Sequence, residues 1–520
     1  MKRRQFIKSA SAAASLPVFL NGMPLAAMPK SSIFNFIDPD SDRILVLIQM
    51  NGGNDGLNMI IPRDQYNGIA AVRNNIMIPE NKVLGLTDKI GLNPSMNSIK
   101  SLYDDAKIGI VQSVGYPNQN RSHFRSTDIW TSASPAEQFW NTGWLGRHFE
   151  VDHKDYPEAY PNEAFPHPFA ITMGSIVSET CQGTAANFSM TLEDPFSIFP
   201  LYQGASSNVP NTPYGRELSF LRTSISQTNA YAGVITDAAD GGGNQVTYPE
   251  NNRLAQQLKN VALLISGGLQ TKVYITSIGG FDTHANQVVG GETTTGDHAN
   301  LLQMLSEAIA AFQNDLKALG LEQRVVGMTF SEFGRRIRSN ESFGTDHGTA
   351  APLIIFGSCI NPAIIGENPE IVADVDRDEG VPMQHDFRDV YGSILMDWFG
   401  VQETDVKTLL YNDFQKLPII QDCRTTTAVD GPDLDKILQI KAYPNPFHNW
   451  ARIEFTLEQE AWVRLSVFDA LGSEVKVLTN RRLNPGEHQI PFEASDLAAG
   501  TYFYRLQVDN QVKTKRMVKI

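Results

Sequence analysis

The sequence predicts an α/β protein: a mostly parallel sheet with helices on both faces, followed by a small C-terminal β-sandwich. Three observations carry this prediction. Unbroken apolar runs recur between residues 43 and 357, as strands covered on both faces require. Amphipathic stretches of helical period alternate with them. After Ile440 the pattern changes to short apolar–polar alternation broken by turn residues, the pattern of a β-sandwich.

The chain opens "MKRRQFIKSASAAASLPVFLNGMPLAA". A basic start, a weakly apolar stretch and small residues at Ala26 and Ala27 have the layout of a cleavable export signal over residues 1–28. "RRQFIK" looks like a twin-arginine signal. Ser9, Ser11, Ser15, Pro17, Asn21 and Pro24 make the stretch too polar for a stable membrane span, so no transmembrane anchor is expected in the mature chain.

The main domain is placed at residues 40–424. "RILVLIQM" (43–50) reads as its first buried strand, stopped by "NGGNDG". A helix follows over 95–106 and a strand over 108–116. Residues 135–250, rich in Pro, Asn, Gly and aromatics, read as an insertion beside the sheet. A helix over 252–266 stops at Gly267 and Gly268. Then come a strand over 272–280, a long amphipathic helix over 298–320 with Gly320 as its stop, and strands over 324–330 and 351–357. The polar stretch 425–438 reads as a linker and 439–520 as the sandwich.

Of the 520 residues, 42% are hydrophobic and 19% charged, ordinary for a globular protein with a substantial core. The net charge of −14 opposes a nucleic-acid or anionic-membrane partner. The three cysteines, Cys181, Cys359 and Cys423, are odd in number and far apart. They indicate neither a disulfide framework nor a thiolate metal site.

In open α/β sheets, ligands bind outside the carboxyl ends of the strands. Polar residues collect there in this sequence. Asp55 follows the first strand; Arg121, Ser122 and His123 follow the second; Asp282 and His284 lie in "FDTH"; Glu332 and Arg335 lie in "SEFGR". Asp346 and His347 lie in "GTDHG", just before a strand. Taken singly, each has a structural role open to it: a tight turn, a helix cap, a salt bridge. Together they suit a divalent ion such as zinc or manganese, because carboxylate oxygen and imidazole nitrogen are its ligands. Asp282 and His284, two apart in an extended segment, would point the same way and could share one ion.

The stretches "IQMNGGNDGLNMIIP", "VGYPNQNRSHFRSTDIW", "GGFDTHANQ", "FSEFGRRIRSN", "GTDHGTAAPLIIFG" and "HDFRDVYGSIL" resemble the exported domain-of-unknown-function family 1501, in the alkaline phosphatase-like superfamily. The resemblance implies an alkaline phosphatase-like fold. It implies metal-binding roles for Asp55, Asp282, His284, Glu332 and His347, with Asp346 orienting His347 or binding beside it, and Ser122 or a bound water as nucleophile; Thr127, or no protein nucleophile, is the alternative. Arg121, Arg125 or Arg335 would hold an anionic ester. The superfamily has an Asp-His pair where this chain has Glu332-Phe333. An alternative alignment makes Asp346-His347 that pair, with His385 as the late histidine. The implied function is hydrolysis of phosphate or sulfate esters. The alternatives are a non-catalytic surface protein that keeps the fold, or an accessory in sulfated-glycan processing. "YPNPF", "VFDALGSEV", "LAAGTYFYRL" and "KRMVKI" resemble the type A sorting domain of the type IX secretion system. That implies secretion or surface attachment, with the secretion machinery as partner.

Overall fold

A computed structural model describes residues 19–20, 23–24, 42–198, 212–421, 440–445, 447–457, 461–469, 474–495, 497–508 and 511–520. The expected signal at 1–28, including its twin arginines, lies outside the described residues except for four of them. The expected linker at 425–438 lies wholly outside. The chain divides into two compact units, Met1–Arg424 and Thr425–Ile520.

In the first unit the strands used below are β1 (Ile44–Asn51), β2 (Ile108–Gly115), β3 (Ala170–Met173), β4 (Ser189–Leu192), β5 (Val273–Gly279), β6 (Val325–Phe330), β7 (Ala351–Gly357), β8 (Ile364–Ile365) and β9 (His385–Asp386). Among the described residues they form one nine-stranded sheet in the order β8-β2-β7-β6-β1-β5-β3-β4, with β9 also pairing β2. The pairs β6–β1, β1–β5, β5–β3 and β3–β4 are parallel. Strand β7 alone is antiparallel to both its neighbours. Strands β3 and β4 come from the segment expected to be an insertion beside the sheet; it extends the sheet edge instead.

The apolar run of β1 is buried on both faces because alternate residues serve two cores. Ile44, Val46 and Ile48 face one cluster, and Leu45 and Leu47 the other. The first cluster takes its cover from helices α1 (Asn97–Asp104), α4 (Arg253–Ser266) and α5 (Asp297–Ala318). The second takes it from α2 (His123–Ser132), α3 (Trp144–Asp152), α6 (Phe387–Asp397) and α7 (Glu403–Leu409). Helix α4 begins where the Asn252 side chain accepts the Ala255 N–H, and its eight buried residues are the apolar stripe its periodicity predicts. Cys359 is disulfide-bonded, and Cys181 is a buried free thiol.

Among the described residues the second unit has two antiparallel sheets, of three and four strands, around an apolar core that includes Ile453, Val463, Leu465, Tyr504 and Met517. No helix among the described residues is long and apolar enough to cross a membrane.

Candidate metal centre

The reversed strand β7 assembles the site. Because it runs against β6 and β2, its start lies at the carboxyl ends of the parallel strands. "TDH", which precedes it, therefore meets the residues that follow β2, β5 and β6. Two glycines permit the approach. Gly52 has φ +123°, and a Cβ there would lie 2.3 Å from the Asp282 backbone nitrogen. A Cβ on Gly348 would lie 2.1 Å from the Arg335 carbonyl carbon.

Three histidines converge on the Asp282 carboxylate. His347 Nε2 and His284 Nε2 each lie 3.1 Å from Asp282 Oδ1, and 2.9 Å from each other. His123 Nε2 lies 3.4 Å from Asp282 Oδ2. Each ring is held through its other nitrogen by an oxygen that only accepts. His123 Nδ1–H donates to Glu332 Oε1 (2.8 Å), His284 Nδ1–H to Asp346 Oδ1 (2.9 Å) and His347 Nδ1–H to the Arg121 carbonyl (2.8 Å). A neutral imidazole has one N–H, so with Nδ1 donating, each Nε2 presents a lone pair. Three lone pairs then face a carboxylate with no proton between them, an arrangement that a cation relieves. Ligand-capable atoms of His123, Asp282 and His347 all lie within 4.8 Å of one another. The spacings of 2.9–3.1 Å around Asp282 Oδ1 fit ligands that share an ion at about 2.0–2.1 Å.

Burial pushes the Asp282 carboxyl up, but the hydrogen bond and charge of Arg335, with His347 and His284, outweigh it and hold the pKa at about 2. Burial lowers the His347 pKa, opposed by the Arg121 carbonyl and Asp282, which favours the neutral ring that metal ligation needs. Asp346 is lowered: burial raises it, and His284, Asn340 and Arg336 more than compensate.

The other expected site residues fall into place around this group. Glu332 and Asp346 orient histidines, as outer partners of ligands do. Glu332, 3% exposed, also accepts the Gly52 N–H at 2.8 Å. Phe333, where the resemblance has a histidine, packs its ring against His123 and His347, with centroids 4.9 and 4.7 Å away. Asp55 is not brought to the group. It is 1% exposed, and both its oxygens accept from Arg73 at 3.0 Å, with Gln287 as a further donor. Arg335 is fully buried and holds the carbonyls of Gly52, Gly53, Phe281 and Thr345 besides Asp282. It is a scaffold for the strand ends, not a free anion holder. Arg125 is likewise committed, to Asp128 and the carbonyls of Pro135, Ala136 and Gln138. Arg121 donates to the Asp378 carbonyl. Ser122 is exposed at the N-cap of α2, and its side chain makes no cap bond. His385 starts β9 and is not one of the converging rings.

Sequence reasoning groups His123 with the polar strand-end residues but gives it no individual ligand role. The available signal was its place immediately after Ser122 at the end of β2, on the same sheet edge as the other histidines.

Residues 244–397 match the family described as a protein of unknown function, DUF1501. That span takes in Asp282, His284, Glu332, Asp346 and His347. Residues 441–520 match the secretion system C-terminal sorting domain. No curated protein matches the chain. Similar solved structures include a protein of the alkaline phosphatase superfamily from Vibrio parahaemolyticus, 9% identical, with 99% of this chain and 91% of that one covered and a TM-score of 0.36. The lipoteichoic acid synthase of Listeria monocytogenes is 9% identical over 76% of this chain and 78% of its own, with a TM-score of 0.25. PorZ, a surface component of the type IX secretion system of Porphyromonas gingivalis, is 18% identical over 16% of this chain, with a TM-score of 0.12; the chain spans 11% of that protein. The sorting-domain match marks the chain for export and for secretion or attachment at the cell surface.

Proposed function

We propose that the main unit is a metal-dependent hydrolase of phosphate or sulfate esters, acting outside the cell or on its surface. The observation that carries this is the convergence of three imidazole Nε2 atoms on Asp282 while each Nδ1 is held by an acceptor. His123, Asp282 and His347 would hold the ion, with His284 at its edge, and three imidazoles favour zinc over manganese. A divalent ion there would polarise an ester oxygen and lower the pKa of a bound hydroxyl or water. Ser122, adjacent to His123 and at the head of α2, is the proposed nucleophile, since a helix N-terminus favours the anionic form of the hydroxyl. Arg121, the least committed of the three expected arginines, would hold the anionic end of the ester.

One observation favours a second reading. Arg125 and Arg335 are spent on carbonyls, so the centre is poor in free cations for an anionic substrate. A surface protein that keeps a structural metal without turnover would look the same. Elemental analysis of the purified chain, with a screen of phosphate and sulfate esters, separates the two. Bound metal with turnover that Ser122→Ala abolishes, at unchanged metal content, supports the hydrolase. Metal without turnover supports the structural reading, and a metal-free, inactive protein refutes both.

A further inference from the structure

A cleft of about 530 Å³ opens beside the centre, with His123 and Glu332 in its wall. This is within the range of small-molecule sites, about 300–1,000 Å³. One side is helix α2, which contributes Phe124, 90% exposed. The loop after β3 contributes Ile176 (81% exposed) and Val177. Large apolar side chains held this far into solvent at the mouth of a cleft point to a ligand that covers them. The floor is polar. The Gln49 and Asn51 amides, at the end of β1, and the Thr127 hydroxyl line it without a side-chain hydrogen-bond partner among the described residues. The Thr131 hydroxyl, by contrast, is used within its own helix.

The charges on the lining restrict the occupant. Asp128, Glu179 and Glu332 line the cleft, and no lysine or arginine does. Away from the ion proposed at His123, an anionic group inside would meet these carboxylates at close range, and only Asp128 has an arginine partner, Arg125. The occupant therefore has an apolar face for Phe124, several hydroxyls for the amides and Thr127, and no negative charge of its own.

We infer that this cleft is a subsite for an uncharged pyranose ring, which carries C–H groups on one face and hydroxyls around its edge. The inference rests on the hydrolase reading only in making that ring the alcohol part of the ester. Occupancy of the cleft by a free sugar does not need turnover.

The test is binding of methyl β-glucopyranoside, methyl β-galactopyranoside and the charged methyl β-glucuronoside to the full chain, followed by saturation-transfer NMR and calorimetry. At least one neutral glycoside should bind. Phe124→Ala should weaken it about tenfold, as loss of one stacking face does, with metal content unchanged. The glucuronoside should bind about tenfold more weakly than its neutral counterpart. Failure of both neutral glycosides to bind overturns the inference. So does binding unaffected by both Phe124→Ala and Gln49→Ala, or a glucuronoside that binds as tightly as the neutral sugar. Turnover of the parent protein separates the two readings. A neutral glycoside that binds a parent protein with no turnover leaves the subsite standing while the hydrolase reading fails.

Discussion

Replacing Glu332 by Gln tests the logic of the centre most directly, because it leaves every proposed ligand in place. Glu332 Oε1 accepts from His123 Nδ1 and from the Gly52 amide, both at 2.8 Å, and the side chain is buried. Gln keeps the size and an accepting oxygen but removes the charge. The charge-assisted bond to His123 becomes a neutral one of roughly half the strength. The His123 ring is less firmly aimed at Asp282. Loss of such an outer partner lowers metal affinity about 10- to 100-fold, or about 1.4–2.7 kcal/mol. The Gly52 amide keeps an acceptor, so the folding cost should stay near 1 kcal/mol. The assay is titration of metal-stripped protein with zinc against a chromophoric chelator, with denaturant melts alongside. Zinc affinity within twofold of the parent would refute the reasoning, since His123 would then be either no ligand or one that Glu332 does not orient. A parent protein that binds no zinc or manganese would refute the centre itself.

Asp55→Asn should destabilise the main unit by about 3–5 kcal/mol, because it strands the buried Arg73 guanidinium, yet leave metal affinity unchanged; urea melts and the same zinc titration check both, and a large loss of affinity would restore Asp55 as a ligand. His298, fully buried and donating to Asn54 Oδ1, has its pKa pushed down to about 4 by burial, opposed by Asp55. The unfolded chain therefore takes up this proton first, so the His298 contribution to stability should be level above about pH 6.5 and fall on the order of 3 kcal/mol between there and pH 4, beside those of His148 and His153, which burial lowers to about 3 and about 4. Denaturant melts across that range should flatten in His298→Gln; an equally steep decline in the variant would assign the acid sensitivity elsewhere. Removing residues 440–520 should leave the first unit folded and stop its export, since that segment has its own core and matches the sorting domain; melting and cell fractionation report the two outcomes separately.

The elements and the sheet edge that carries the chemistry were legible in the sequence because they depend on local pattern. A strand covered on both faces must be apolar throughout, so "RILVLIQM" and "APLIIFG" stand out. A helix against a sheet must repeat its apolar residues at helical spacing, as residues 298–320 do. A strand that ends at a site must give way to polar residues, which flagged "FDTH", "SEFGR" and "GTDHG". The assignment of roles within the edge was not legible. Whether Asp55 faces a metal or Arg73 depends on Arg73, 18 residues later in the chain. Whether Glu332 is a ligand or orients one depends on His123, 209 positions away. Arg335 looked free because its carbonyl partners are backbone, which no residue pattern reveals. The direction of β7 placed His347 among the other proposed ligands, and an apolar strand reads the same either way along the sheet. Periodicity and burial are written in neighbouring residues, so the chain alone determined the elements. A charged side chain is committed by whichever group the fold brings within 3 Å of it, and only the tertiary structure decided that.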